Sequence, residues 1–201
     1  MITIIDNELG NISSISNMLN KLGVKSVRTQ NPSQADIADK IILPGVGSFD
    51  HGMRKMENSG WKETLYKAVD KGAYVLGICL GMQLLFDKSE EGSLPGLGLI
   101  SGDIVKFNFE NEDLKVPHMG WNIVNSVPTS PLVTNHSEEQ RFYHVHSYHA
   151  VCNDKSNVIG YTHYGYDFPS IVQRDKIFGV QFHPEKSHKF GMALLTNFAK
   201  L

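Results

Sequence analysis

Ala73-Tyr74-Val75-Leu76-Gly77-Ile78 runs without a charged residue into Cys79-Leu80-Gly81, and a helix-compatible stretch, Leu80 to Lys88, follows at once. A segment of this kind predicts a buried strand that turns within one residue into a helix. Gly77-Ile78-Cys79-Leu80-Gly81 has the shape of a nucleophile elbow with cysteine in the position serine usually holds. The glycines have a steric reason. A sharp strand-to-helix turn strains the central residue, and flanking side chains would collide. The sulfur then projects beside the N–H groups and positive dipole end of the new helix, where thiolate is favoured. A cysteine closing a strand can also be a small buried hydrophobe. The motif therefore needs a base elsewhere in the chain.

The surrounding pattern predicts βα units. Residues 2–5 read as a strand, and Asn11 caps a helix whose Ile12, Ile15, Met18, Leu19 and Leu22 share one face before Gly23 ends it. Residues 24–29 and 40–43 read as two more strands, the latter broken by Pro44-Gly45-Val46-Gly47. Trp61, Leu65, Ala68 and Val69 form a helical stripe ending near Gly72. The second half favours β structure around 103–109, 114–124, 142–152, 157–164 and 170–182, with Arg174-Asp175-Lys176 joining a hairpin. Residues 187–200 return to helix through Phe190, Leu194 and Phe198. The expected fold is a single three-layer α/β domain over residues 1–201, with a largely parallel central sheet and a smaller antiparallel β region.

Composition narrows the functional classes. A formal charge of −2 gives no basic surface for nucleic acid. No window approaches 18 uninterrupted apolar residues, so no membrane span is expected. The N-terminus lacks a basic n-region and a cleavage pattern, which predicts no export. Two cysteines, Cys79 and Cys152, do not build a disulfide framework, and a reducing cytoplasm is the simplest setting.

The base is offered by Gln181-Phe182-His183-Pro184-Glu185, at the end of the apolar run from Ile177. In an extended segment residues two apart point to the same side, so His183 and Glu185 can lie together. Glu185 can accept the Nδ1–H of His183 and leave Nε2 to face a thiol. The duller alternative is a strand-end histidine with a solvated glutamate; the presence of Cys79 weighs against it.

Together, Gly77-Ile78-Cys79-Leu80-Gly81-Met82-Gln83 and Phe182-His183-Pro184-Glu185 resemble the class I (triad) glutamine amidotransferases, whose core is flavodoxin-like. Leu43-Pro44-Gly45-Val46-Gly47, Val116-Pro117-His118-Met119-Gly120-Trp121-Asn122 and Val145-His146-Ser147-Tyr148 are similar to the glutaminase subunit of imidazole glycerol phosphate synthase. The resemblance runs from residue 2 to the terminal helix. It implies Cys79 as nucleophile, His183 as general base and acid, and Glu185 as its orienter. It implies an oxyanion hole from the Leu80 N–H and the Val46–Gly47 loop, with Val46 a plausible switch. Gly45, Gly47, Gln83, Ser147 and Tyr148 would hold L-glutamine. Asn11, Trp121 and Lys186 would meet a (β/α)8-barrel cyclase across which ammonia passes, in a heterodimer of histidine biosynthesis. No cofactor and no metal are implied.

Three stretches depart from that branch. Asp6-Asn7-Glu8-Leu9-Gly10-Asn11 is atypical of the histidine pathway, and Phe49–Arg54 and Glu185–Gly191 look more like paralogues serving amidotransferases of N-acetylated sugars. A stand-alone γ-glutamyl hydrolase and a silent binding module are further alternatives, the latter opposed by the intact triad. Several features take a structural reading: His144-x-His146 with His149 as surface histidines of a strand and not a metal site, apart from His146 inside the family motif, Cys152 as a strand end, Tyr161, Tyr164 and Tyr166 as sheet surface, and Glu90-Glu91 as a solvated turn, although the resemblance places this loop beside the site. The glycines of 92–98 lack the context of a phosphate loop.

Overall fold

A computed structural model describes residues 1–35, 38–109, 114–134 and 139–201. Its first half is built from strands β1 (Ile2–Ile5), β2 (Ser26–Thr29), β3 (Lys40–Gly45) and β4 (Tyr74–Cys79). Between and after them come helices α1 (Ile12–Lys21), α2 (Phe49–Asn58), α3 (Trp61–Asp70) and α4 (Leu80–Leu84). Short strands β5 (Lys88–Ser89) and β6 (Gly102–Lys106) lead into β7 (His118–Ile123), β8 (Asn125–Ser126), β9 (Arg141–His146) and β10 (Tyr148–Cys152). Strands β11 (Val158–Tyr164), β12 (Tyr166–Arg174) and β13 (Ile177–Val180) precede the last helix, α5 (His188–Lys200).

The main sheet has eight strands in the order β2-β1-β3-β4-β13-β12-β11-β8. From β2 to β13 every pairing is parallel; β13-β12, β12-β11 and β11-β8 are antiparallel. Two small sheets, β10-β6-β5 and β7-β9, make the β region beside it. The expected α/β architecture with a largely parallel sheet is present.

Period-two alternation divides the core between the two faces. On β3, Ile41 and Leu43 pack with Met53 and Met56 of α2 and Trp61 and Leu65 of α3. On β1 and β4, Ile2, Ile4, Leu76 and Ile78 point the other way, toward Ile12, Ile15 and Leu19 of α1 and Leu194 and Phe198 of α5. Each such side chain, fully withdrawn from water, contributes about 1.5–3 kcal/mol of transfer free energy. Among the described residues no helix is long and apolar enough to cross a membrane.

Several boundaries move. Strand β3 continues through Pro44 and Gly45, pairing Gly45 with Cys79, because Pro44 needs no donor where its neighbour strand does not require one. Helix α4 is five residues long, not nine: Leu85 caps it, and the backbone from Phe86 onward pairs with the loop of 96–102. Residues 142–152 are two strands in different sheets, broken at Ser147. Helix α2 has no counterpart among the expected elements, although Phe49, Gly52, Met53 and Met56 make a regular buried stripe along it. Asn11 caps α1 as expected, its side chain accepting from the Ser14 N–H at 3.3 Å, and Asp175, with φ 54°, turns the β12-β13 hairpin.

Candidate active site

The elbow at Cys79 is strained in the expected sense. Its φ of 54° and ψ of −112° form a conformation that costs on the order of 1–3 kcal/mol and persists only where the surroundings enforce it. They do. A Cβ on Gly81 would sit 1.8 Å from the Leu43 carbonyl oxygen, and one on Gly77 would sit 2.7 Å from the Gly81 oxygen. Only hydrogen fits at either position, so the elbow closes against β3 and aims the sulfur out of the C-terminal edge of the sheet.

His183 follows β13, which pairs with β4, so the sheet itself carries the imidazole to the thiol. Its main chain is clamped: the His183 N–H donates to the Tyr143 carbonyl at 2.9 Å, and Ser187 Oγ donates to the His183 carbonyl at 2.6 Å. His183 Nδ1 lies 2.8 Å from Glu185 Oε1, and both side chains are buried. The pairing holds, but the backbone between them is not extended. Pro184–Lys186 is a 3-10 turn that folds the carboxylate back under the ring.

Nε2 of His183 has no conventional hydrogen-bond partner; it faces the Cys79 thiol. Burial alone would lower the basicity of this imidazole. Its interaction with Cys79, and then the hydrogen bond and charge of Glu185, outweigh burial and push it up to about 10. A strained cysteine, an imidazole ready to take its proton and a carboxylate fixing the tautomer can together perform nucleophilic acyl transfer.

The sulfur opens into a cavity of about 340 Å³, large enough for a small polar molecule. Val46, Gly47, Leu80, Gln83, Ser147 and Tyr148 line it together with Cys79 and His183, and so does Lys186, expected at the partner interface. Gly45 does not. It pairs with Cys79 in the sheet, and a Cβ there would lie 3.0 Å from Leu80 Cβ, so its place is beneath the elbow. Val46 is 44% exposed at the mouth and Gly47 has φ 105°. Trp121 lies outside the cavity, 47% exposed and stacked on His188 at 5.4 Å; Lys186 Nζ sits over the Tyr143 ring. Asn11 is exposed at the start of α1.

Glu91 is not in a solvated turn; it lies beside the site, where the resemblance puts its loop. It lines the cavity, and its Oε2 accepts the Phe49 N–H at 2.8 Å, fixing it to the start of α2. Glu90 is tied to the Lys106 N–H. Gln181, quoted in the motif without a role, is fully buried and reaches both Gln83 and Cys79. A polar residue closing an apolar strand was the available signal.

His144 and His149, expected at a strand surface, are interior, as is His146 of the family motif. The structure adds His118 to His144 and His146, with one nitrogen of each within 4.8 Å of the others, whereas His149 turns away to the Tyr166 hydroxyl. Among the described residues, these three are the side chains that could hold a metal ion. Hydrogen bonds also join them. His146 Nδ1 donates to the Tyr148 carbonyl at 2.8 Å, and its Nε2 accepts from His118 Nδ1 at 3.2 Å. His118 Nε2 accepts from Asn122 Nδ2, and His144 Nε2 has no partner. Burial drives His118 down to about 4 and His146 to about 3, with His144 lowered as well. Tyr164 is stacked on His118, so it too is part of this aromatic block. Cys152 ends β10 as expected, its thiol pushed up to about 12 by burial.

The solved structure titled "Crystal structure of glutamine amidotransferase" superposes with a TM-score of 0.72 over 100% of this chain and 99% of that one; at 17% identity it speaks for the fold alone. Among curated proteins, "Imidazole glycerol phosphate synthase subunit HisH 2" of Methanococcus maripaludis is 50% identical over 100% of this chain and 99% of its own. The protein of the same description from Pseudomonas aeruginosa is 46% identical over 100% of both. Subunit HisH 1 of Methanococcus maripaludis is 44% identical, again over 100% of both. The family description "Glutamine amidotransferase class-I" matches residues 3–201. The chain belongs to the class-I glutamine amidotransferase family.

Proposed function

We propose that this chain is a glutaminase subunit: it hydrolyses L-glutamine to glutamate and passes the ammonia to a (β/α)8-barrel cyclase that makes imidazole glycerol phosphate. The observation that carries the chemistry is the strained Cys79 facing His183 Nε2, with Nδ1 tied to Glu185 at 2.8 Å. Cys79 Sγ adds to the amide carbon while His183 takes the thiol proton. His183 returns that proton to the departing ammonia, leaving a γ-glutamyl thioester. Water, deprotonated by His183, then releases glutamate.

The negative oxygen of each tetrahedral intermediate is held by the Leu80 N–H and by an N–H of the Val46–Gly47 loop, donors that contribute about a hundred-fold or more apiece. Gln83, Glu91 and the Ser147–Tyr148 backbone face the rest of the cavity, where the polar end of glutamine would lie. Exposed Val46, Met119 and Trp121, with Lys186 at the cavity wall, supply the apolar surface a partner would cover. The full-length identity to synthase subunits supports the cyclase as that partner.

A second acceptor rests on the sequence alone. The Asp6–Asn11 segment is atypical of the histidine pathway, and it is the feature that keeps an amidotransferase of N-acetylated sugars as the alternative destination for the same ammonia. The deciding experiment measures glutamate release with each partner and its substrate present. Stimulation by the loaded cyclase alone supports the first reading, stimulation by the sugar amidotransferase alone supports the second, and full activity of the isolated chain favours a stand-alone hydrolase.

A further inference from the structure

We propose that Gln181 is a positioning residue for the nucleophile, its side-chain amide held by Gln83, which is itself tied to the Tyr148 carbonyl, so that an N–H points at Cys79 Sγ. Amide oxygen and nitrogen are told apart only by their partners, and here one backbone carbonyl decides both residues. The Tyr148 oxygen can only accept. It receives His146 Nδ1–H at 2.8 Å and Gln83 Nε2–H at 3.2 Å, which occupies both its lone pairs. The atom Gln83 presents is therefore nitrogen.

That same nitrogen lies 3.1 Å from Gln181, so the Gln181 atom facing it is the oxygen. Its other atom, Nε2, is then 3.9 Å from Sγ. Turning the Gln181 amide over would set NH2 against NH2 and oxygen against sulfur. Gln181 is fully buried, and its backbone N–H is fixed to the Ser170 carbonyl at 3.0 Å, so the side chain has no solvent alternative.

An N–H donor interacts more strongly with an anionic sulfur than with a neutral thiol. The titratable groups around Cys79 are His183 with Glu185 after β13, His144 and His146 on β9, Tyr148 on β10, Glu91 in the loop after β5 and Lys186 in the cavity wall. Gln181 differs from all of them in being a donor that never titrates. Its removal should move the ionisation of the thiol without adding or deleting a step.

The importance of this contact rests on the glutaminase reading, but its test does not use glutamine. Carbamidomethylation of Cys79 by iodoacetamide is followed across pH 5–10 (a range of about five units) by peptide mass spectrometry, which separates Cys79 from Cys152. In Gln181→Met, similar in length and without a donor, the midpoint of the rate profile should rise by about one pH unit, equivalent to a tenfold loss of thiolate. Gln181→Asn, whose amide is too short to reach both partners, should shift it in the same direction. An unchanged midpoint in either folded variant, judged by near-ultraviolet circular dichroism, overturns the proposal. If neither variant folds, the unmutated chain with 15N-labelled glutamine side chains decides. The Gln181 amide protons should move downfield with the Cys79 titration, and amide signals that ignore it overturn the assignment.

Discussion

His183 Nδ1 lies 2.8 Å from the Oε1 of Glu185, two residues along the chain, and a single 3-10 turn brings them together. The second carboxylate oxygen, Oε2, is buried with no hydrogen-bond partner among the described residues. This asymmetry makes a Glu185→Gln replacement informative. The amide oxygen could still accept from Nδ1, but its NH2 would occupy the unpartnered side and leave buried donors unsatisfied, at about 1–3 kcal/mol. Loss of the carboxylate charge also weakens the imidazolium formed during proton transfer. Glutamine turnover is expected to fall by about a hundred-fold or more, with a lower melting temperature; kcat and thermal melts check both.

Gly81→Ala tests the elbow independently of any charged group. Its methyl would meet the Leu43 carbonyl oxygen at 1.8 Å, backbone against backbone. Neither side can yield, because Gly45 and Cys79, each two residues away, are paired in the sheet. The expected result is a loss of about 2 kcal/mol or more in unfolding free energy, together with loss of glutaminase activity. A Gly81→Ala chain with native stability and turnover would show that the turn is not held against β3.

The interior histidines predict acid sensitivity. His118, His144 and His146 are held well below the ordinary histidine value, chiefly by burial, with His118 at about 4 and His146 at about 3. Unfolded, each takes up a proton near pH 6.5; folded, each resists until the pH is far lower. The unfolded state binds more protons throughout that window, so stability is full above about pH 6.5 and declines as the pH falls toward 3–4. Each group contributes a slope of up to about 1.4 kcal/mol per pH unit. Urea melts between pH 7 and pH 4 (a span of about three units) measure it, and replacing His144 with Phe should flatten the curve.

His183 contributes with the opposite sign. Its folded value, about 10, lies above the unfolded one because Cys79 and Glu185 outweigh burial. Its stabilisation is complete below about pH 6.5 and is lost as the pH rises toward 10. Cys79→Ala removes the larger of the two favourable interactions, so this alkaline loss should diminish in that variant, as read from melting temperatures between pH 7 and pH 10 (about three units apart).

Much of this was legible in the chain because the constraints are local. Gly77, Cys79 and Gly81 announce a turn that no other residue pattern needs, and the period-two strands around them announce a covered sheet. What the sequence hid depends on distant partners. Glu91 looks solvated until the start of α2 donates an N–H to it. His144 looks like a surface residue until His118, 28 positions from His146, closes over it and bonds to His146. Gln181 shows its role only when Gln83 and Tyr148, on other elements, fix which end of its amide meets the sulfur. Helix α2 escaped because its regular stripe, Phe49, Gly52, Met53 and Met56, is short and set among charged and polar residues, although Gly52 is what lets it lie against Leu80 and Leu84.

Partner contact is separable from chemistry. Trp121 is stacked on His188 with an interplanar angle of 4° and lies outside the cavity. Trp121→Ala should leave the fold and basal glutamine hydrolysis near native, while stimulation by the loaded partner falls about ten-fold or more, the loss expected at an aromatic hot spot. Titration of glutamate release against partner concentration checks this; unchanged stimulation removes Trp121 from the interface.

The most direct test of the account is an acid-quenched reaction with isotope-labelled glutamine, read as the mass of the peptide containing Cys79. The account predicts a γ-glutamyl thioester on Cys79 that decays on a chase with unlabelled glutamine, and its disappearance along with turnover in Cys79→Ala. Near-native glutamine hydrolysis by Cys79→Ala, with no label on the native peptide, would contradict it.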